Sequence, residues 1–152
     1  MNKEEFIEKA YQSFSDFKKP KQCTIYTDFE DDEFNKLLLS ATNRSLSIEQ
    51  VGILTWSPIS CMNPEALVYF MPRLIELAVI NAIDRDGDLF FCHFINVFYE
   101  GPNNERFKLF GPEQNKIMAY TFKFLYQTYH ERLELEGWLE EAQKAEKNWT
   151  NT

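Results

Sequence analysis

The longest apolar stretch of the chain is Asn63 to Ile83, NPEALVYFMPRLIELAVINAI, and its spacing predicts a helix. Leu67, Phe70, Met71, Leu74 and Ala78 recur at intervals of three and four. Val68, Ile75, Leu77 and Val79 make the remaining faces apolar too, the pattern of a helix in the middle of a domain. Asn63, Pro64 and Glu65 supply an N-cap, a proline at the first helical position and an acid in the first turn. Pro72 lies inside this helix, where it removes one backbone hydrogen bond, clashes with the Val68 carbonyl and costs about 3 kcal/mol unless the helix bends. A kink or break is therefore expected at Pro72.

The flanking segments read mostly as amphipathic helices. Asn2 to Phe17 carries Phe6, Ile7, Ala10, Tyr11, Phe14 and Phe17 on one side, and Lys18, Lys19 and Pro20 end it. Cys23 to Phe29 is β-branched and aromatic but has no evident strand to pair with, so it reads as an ordered crossing. Asp28, Glu30, Asp31, Asp32 and Glu33 precede Phe34, Leu37, Leu38 and Leu39, which places acids at the positive end of a second helix. Ser47 and Gln50 form a capping-box pattern for a short helix through Leu54, broken by Trp56, Ser57 and Pro58.

Asp84 to Asp88 is a loop that leads into Leu89 to Tyr99, an apolar run whose periodicity fits a buried helix or a buried strand. Helix is the reading adopted, because no partner strand exists. Pro112 starts another helix with a core stripe at Met118, Phe122, Leu125, Tyr129 and Leu133. Gly137 marks a break before a Glu-rich helix from Trp138 to Trp149. The expected fold is all-α: a single compact domain over residues 1–152, with about five or six helices around a kinked central helix. The first few residues and 148–152 are expected to fray. Leu89 to Tyr99 and Pro112 to Leu133 should pack on the central helix, with Phe70, Leu74, Phe91, Phe94, Phe122 and Leu125 in the core.

Composition narrows the function. Aromatic residues make up 16% of the chain and Phe alone numbers 14, which excludes a disordered protein. Three cysteines, without CxxC or Cys/His metal spacing, read as reduced thiols of a cytoplasmic protein. Acids at the N-terminus argue against a signal peptide, and no apolar run is long enough to imply a membrane span. A formal charge of −8 and a pI near 4.8 argue against nucleic-acid binding and point to a basic protein partner.

No phosphate loop, nucleophile elbow, HExxH or CxxC is present, and the two histidines, His93 and His130, lack ExxH spacing. An EF-hand starting at Asp84 would need glycine at 89 and glutamate at 95, where this chain has Leu89 and Ile95. No cofactor or metal is implied and no catalytic residue is identified. The candidate binding groups are Glu65, Tyr69, Arg73 and His93. Arg73 either pairs with Glu76 or another carboxylate, or holds an anion in a polar pocket at the Pro72 kink, with Tyr69 and Glu65 as hydrogen-bonding groups and His93 as base. The leading functional expectation is a non-catalytic protein-binding or regulatory module, and the alternative is a small-molecule or enzyme site near Pro72.

The order of motifs resembles an uncharacterised bacterial domain family. The resemblance rests on the PE-x3-Y-x2-P core at Pro64, Glu65, Tyr69 and Pro72, and on the later phrase Phe110-Gly-Pro-Glu-Gln114 standing where the family has an F-T-x-x-Q helix start. It extends from about Glu5 to Trp149. Phe70 stands where a second tyrosine is common, and Asn63 where threonine or serine usually caps. The resemblance implies a small, mainly helical bacterial protein and supplies no catalytic residues.

Overall fold

A computed structural model describes residues 1–150. The described residues form eight α-helices: α1 (Lys3–Ser13), α2 (Phe29–Leu39), α3 (Ile48–Val51), α4 (Pro64–Val79), α5 (Phe90–Phe98), α6 (Pro112–Thr128), α7 (His130–Glu136) and α8 (Leu139–Thr150). Two 3-10 helices, Pro58–Cys61 and Glu105–Phe107, join them, and the β pairing described is limited to three isolated bridges. The all-α class is as expected, and Leu89 to Tyr99 is helical.

α4 is the centre. Eleven of its sixteen residues are buried, covering every face except a narrow polar edge. Asn63 caps it by accepting from the Ala66 amide at 2.9 Å, while its own amide nitrogen donates to the Gln22 carbonyl at 2.7 Å. Thus the Cys23 segment, paired at Thr24 with Met62, is stitched to the start of α4. The far end stops at Val79 rather than Ile83 because Asn81 adopts a left-handed conformation (φ 62°), and the Ala82 amide reaches back to the Leu77 carbonyl at 3.0 Å.

Two expectations are corrected. α4 runs unbroken through Pro72, so the kinked central helix is not matched. Proline's fixed φ suits a helix, and its costs, a missing donor and crowding of the Val68 carbonyl, are local. Burial of apolar side chains on both sides of Pro72 holds the helix together across that gap. The count is also eight helices, not five or six. The stripe from Met118 to Leu133 is divided at Tyr129, whose hydroxyl donates to the Val79 carbonyl at 2.6 Å and whose ring stacks on Phe91 at 5.0 Å. That tertiary bond occupies a carbonyl at the C-terminal end of α4 and turns the chain between α6 and α7.

One connected core draws on all eight helices. All six residues of the expected core list are fully enclosed. Aromatic rings form much of it: Phe94 meets Phe98 at 4.9 Å, Phe98 meets Phe107 at 5.8 Å, and Trp149 packs on Phe107 at 5.4 Å. Trp149 also donates its indole N–H to the Phe98 carbonyl at 2.7 Å, and α8 continues to Thr150. A buried indole thus anchors the end of α8, and 151 and 152, part of the segment expected to fray, lie outside the described residues. At the other end of the chain, Asn2 caps α1. α1 stops at Ser13, short of Phe17, where the Gln114 side chain binds the Ser13 carbonyl at 2.6 Å and ties α1 to the start of α6.

α1 closes on α4 through a polar clamp. The Tyr11 hydroxyl donates to Glu76 Oε1 at 2.6 Å, Arg73 Nη1 meets the same oxygen at 2.7 Å, and Arg73 Nε donates to the Leu46 carbonyl at 2.7 Å. Replacing Tyr11 with phenylalanine removes one donor from a largely enclosed carboxylate and should lower stability by about 1.5 kcal/mol. The expected readout is a lower urea midpoint with an unchanged slope.

Candidate functional site

The most conspicuous exposed apolar feature lies along α2. Asp28 caps this helix by accepting from the Asp31 amide at 2.9 Å, and the acids of the first turn face the helix's positive end. Phe29 sits among them with 85% of its surface exposed. Phe34 is buried on the same helix, and its ring packs on Trp56 at 5.3 Å; Trp56 itself is 51% exposed. Phe29, Phe34, Leu37 and Trp56 line an open cleft of about 650 Å³, with Glu30 and Glu33 beside it. Its one lining cation, Lys36, is paired with Asp32 at 3.1 Å and with Glu33 at 3.7 Å. Ile25 and Tyr26, also exposed, lead into this helix.

Trp56 is held in place by a tight turn. Ile53 and Trp56 exchange both backbone hydrogen bonds, at 3.1 and 3.0 Å. Ser57 Oγ donates to the Val51 carbonyl at 2.6 Å and accepts from the Ile59 amide at 3.2 Å. Gly52 allows the turn: its φ is 79°, and a Cβ there would stand 2.3 Å from the Trp56 carbonyl oxygen.

The four candidate groups are divided between two places. Glu65, Tyr69 and Arg73 are four residues apart along one edge of α4. Tyr69 accepts from the Asn43 amide at 3.2 Å, so it joins Arg73 in fastening the Leu46 turn to α4. Glu65 is exposed at the first turn. His93 belongs to α5, is 5% exposed, and lines a different cavity beside the Asp84 turn. Its ring packs edge-on to Phe90 at 5.4 Å, and its Nδ1 is buried with no hydrogen-bond partner.

Burial, only partly opposed by Asp84, pulls the His93 imidazole down to about 4. Burial likewise pushes the Cys61 and Cys92 thiols up to about 12, so neither supplies a thiolate near neutral pH. The Tyr11 phenol is raised by burial and by the adjoining Glu76, which keeps it a donor. Among the described residues no group of three or more His, Cys, Asp or Glu side chains could hold a metal ion, and no helix is long and apolar enough to cross a membrane.

Sequence reasoning missed Phe29 and Trp56 as surface features. Phe29 was legible: it lies five residues from Phe34 and nine from Leu38, about 140° and 180° away at a helical 100° per residue. Trp56 was not, because a turn residue carries no periodicity.

Gly52→Ala should destabilise the protein by about 2 kcal/mol or more, since alanine suffers at this φ and its Cβ strikes backbone; thermal unfolding measures the loss, and altered Trp56 fluorescence marks the displaced turn. His93 gives a pH dependence of definite sign. A histidine depressed in the folded state contributes stability that is fully present above its unfolded value near 6.5 and is lost as pH falls toward 4. Urea unfolding from pH 7 to 4 should show a loss on the order of 3 kcal/mol from this residue, and His93→Gln should flatten that part of the slope.

No protein-family model, curated protein or solved structure matches this chain.

Proposed function

We propose that this protein is a non-catalytic binding module that docks a basic, amphipathic segment of another protein in the cleft between α2 and Trp56. The observation that carries the reading is Phe29, a large aromatic side chain left almost wholly in water among Asp28, Glu30 and Asp31. Fully burying such a side chain contributes about 1.5–3 kcal/mol, and aromatic anchors of this kind dominate protein interfaces. The surrounding acids select a partner with lysine or arginine flanking its apolar residues, and they accelerate encounter at low salt. The net charge of −8 acts in the same direction. Membership of the bacterial family that the Pro64, Glu65, Tyr69 and Pro72 phrase resembles, and a cytoplasmic setting, are parts of the same proposal.

A photo-crosslinking amino acid placed at position 29 in the source cell tests it. The expected result is a discrete adduct with a basic protein, lost when Trp56 is replaced by alanine and absent when the crosslinker is placed at Leu135, which is 78% exposed on α7. An empty lane at position 29, or the same adducts from both positions, overturns the reading. Phe29→Ser should abolish the interaction while changing the stability of the isolated protein by no more than about 0.5 kcal/mol, because the ring packs on little in the free state.

A further inference from the structure

A second site lies away from the α2 cleft. The Asp84 turn, α5 and the junction of α7 with α8 enclose a cavity of about 210 Å³, roughly seven times the 30 Å³ that one water occupies in the liquid. Each wall has a local cause. Asp84 is buried, and its Oδ1 accepts from the amides of Asp86 at 2.9 Å and Asp88 at 3.1 Å, which sets the turn and brings Asp88 to the rim. Gly137 ends α7 in a left-handed conformation and delivers Trp138 to the opposite side. His93 lines the cavity as well, and its Nδ1 is buried without a hydrogen-bond partner.

The charges around this space do not balance. Asp84, Asp88 and Glu136 face one guanidinium, Arg132, and Arg132 is paired with Glu136 at 3.0 Å. Two carboxylates are left over, beside the Trp138 indole and an imidazole that lacks a hydrogen-bond partner at Nδ1. A buried polar atom without a partner costs about as much as a lost hydrogen bond and is rare enough to call for an occupant. Cys92, the remaining polar lining group, keeps its thiol proton and brings no nucleophile.

We propose that this cavity binds a small organic cation, an amine or a guanidine, with its charge toward Asp84 and Asp88, its apolar part against Trp138 and an N–H donated to the His93 imidazole. The excess of carboxylates excludes a small anion, and the lack of a metal-binding cluster disfavours a bare divalent ion. An organic cation uses every wall: the carboxylates for charge, the indole for cation–π contact and the ring nitrogen as acceptor. A half turn of the imidazole about its Cβ–Cγ bond exchanges the positions of Nδ1 and carbon, so either ring edge can be offered to the ligand.

Calorimetric titration of the intact protein with ethanolamine, 1,4-diaminobutane and methylguanidine tests this, with acetate and inorganic phosphate as anion controls. The expected outcome is saturable binding by at least one of the cations and none by either anion. The NMR signals of the His93 ring should move on binding while those of the exposed His130 stay still. Asp88→Asn, at an exposed turn position, should weaken binding about tenfold or more, and His93→Gln should shift the affinity with the fold intact by circular dichroism. Absence of saturation with all three cations, preferential uptake of an anion, or affinity unchanged in both variants overturns the proposal. None of these outcomes bears on the α2 cleft, whose test is separate.

Discussion

The fold depends on keeping α4 out of water. A sixteen-residue helix with apolar side chains on nearly every face cannot sit at a surface, so it must be wrapped, and α1, α5 and α6 do the wrapping. Its polar edge sets the terms. Arg73 and Glu76 can enter a largely buried position only as a pair with further partners, and the Tyr11 hydroxyl on Glu76 and the Leu46 carbonyl on Arg73 supply them. The Arg44 guanidinium then lies 3.5 Å above the Tyr11 ring, covering the clamp from outside. Arg73 and Tyr69, two of the residues that suggested an anion site, are thus engaged in closing the helix against its neighbours.

The two ends of α4 carry the same logic into the rest of the chain. At its start, Asn63 ties down the Cys23 segment that leads into α2. At its end, Tyr129 holds the Val79 carbonyl and separates α6 from α7. Because α7 and the Asp84 turn are both positioned relative to that end, the His93 cavity is a by-product of how α4 terminates. One turn also joins the two surface features: Leu54 lines the His93 cavity, and Trp56, two residues on, lines the α2 cleft. The Gly52 conformation that makes this turn possible therefore shapes both.

The groups whose titration is shifted by burial are muted in reactivity. The buried thiols hold their protons, the buried imidazole stays neutral near pH 7, and the tyrosines with shifted phenols are raised, not lowered. Burial is the largest cause in each, and nearby opposite charges such as Asp84 beside His93 and Arg132 beside Cys92 offset it only in part. Such side chains are suited to fixing shape and accepting or donating hydrogen bonds.

Local features can be read along the chain. The Asn63-Pro64-Glu65 start, the acidic start of the second helix, the Ser47 and Gln50 capping box, the break at Gly137 and the six core residues were all readable, because a cap or a helical period involves residues within a turn or two of one another. Helicity of Phe90–Phe98 was reached by elimination, for lack of a second strand. Contacts between residues distant in sequence set the rest. Pro72 stays helical because the surrounding core outweighs one missing hydrogen bond; Tyr129 interrupts a continuous stripe because it binds Val79 fifty residues away; Trp149 is anchored because it reaches Phe98. Location of the candidate sites was decided in the same way. Glu65, Tyr69 and Arg73 share an edge by their spacing, but only the folded chain separates His93 from them and sets it beside Asp84, Arg132 and Trp138, since no periodicity links α5 to the turn after α7.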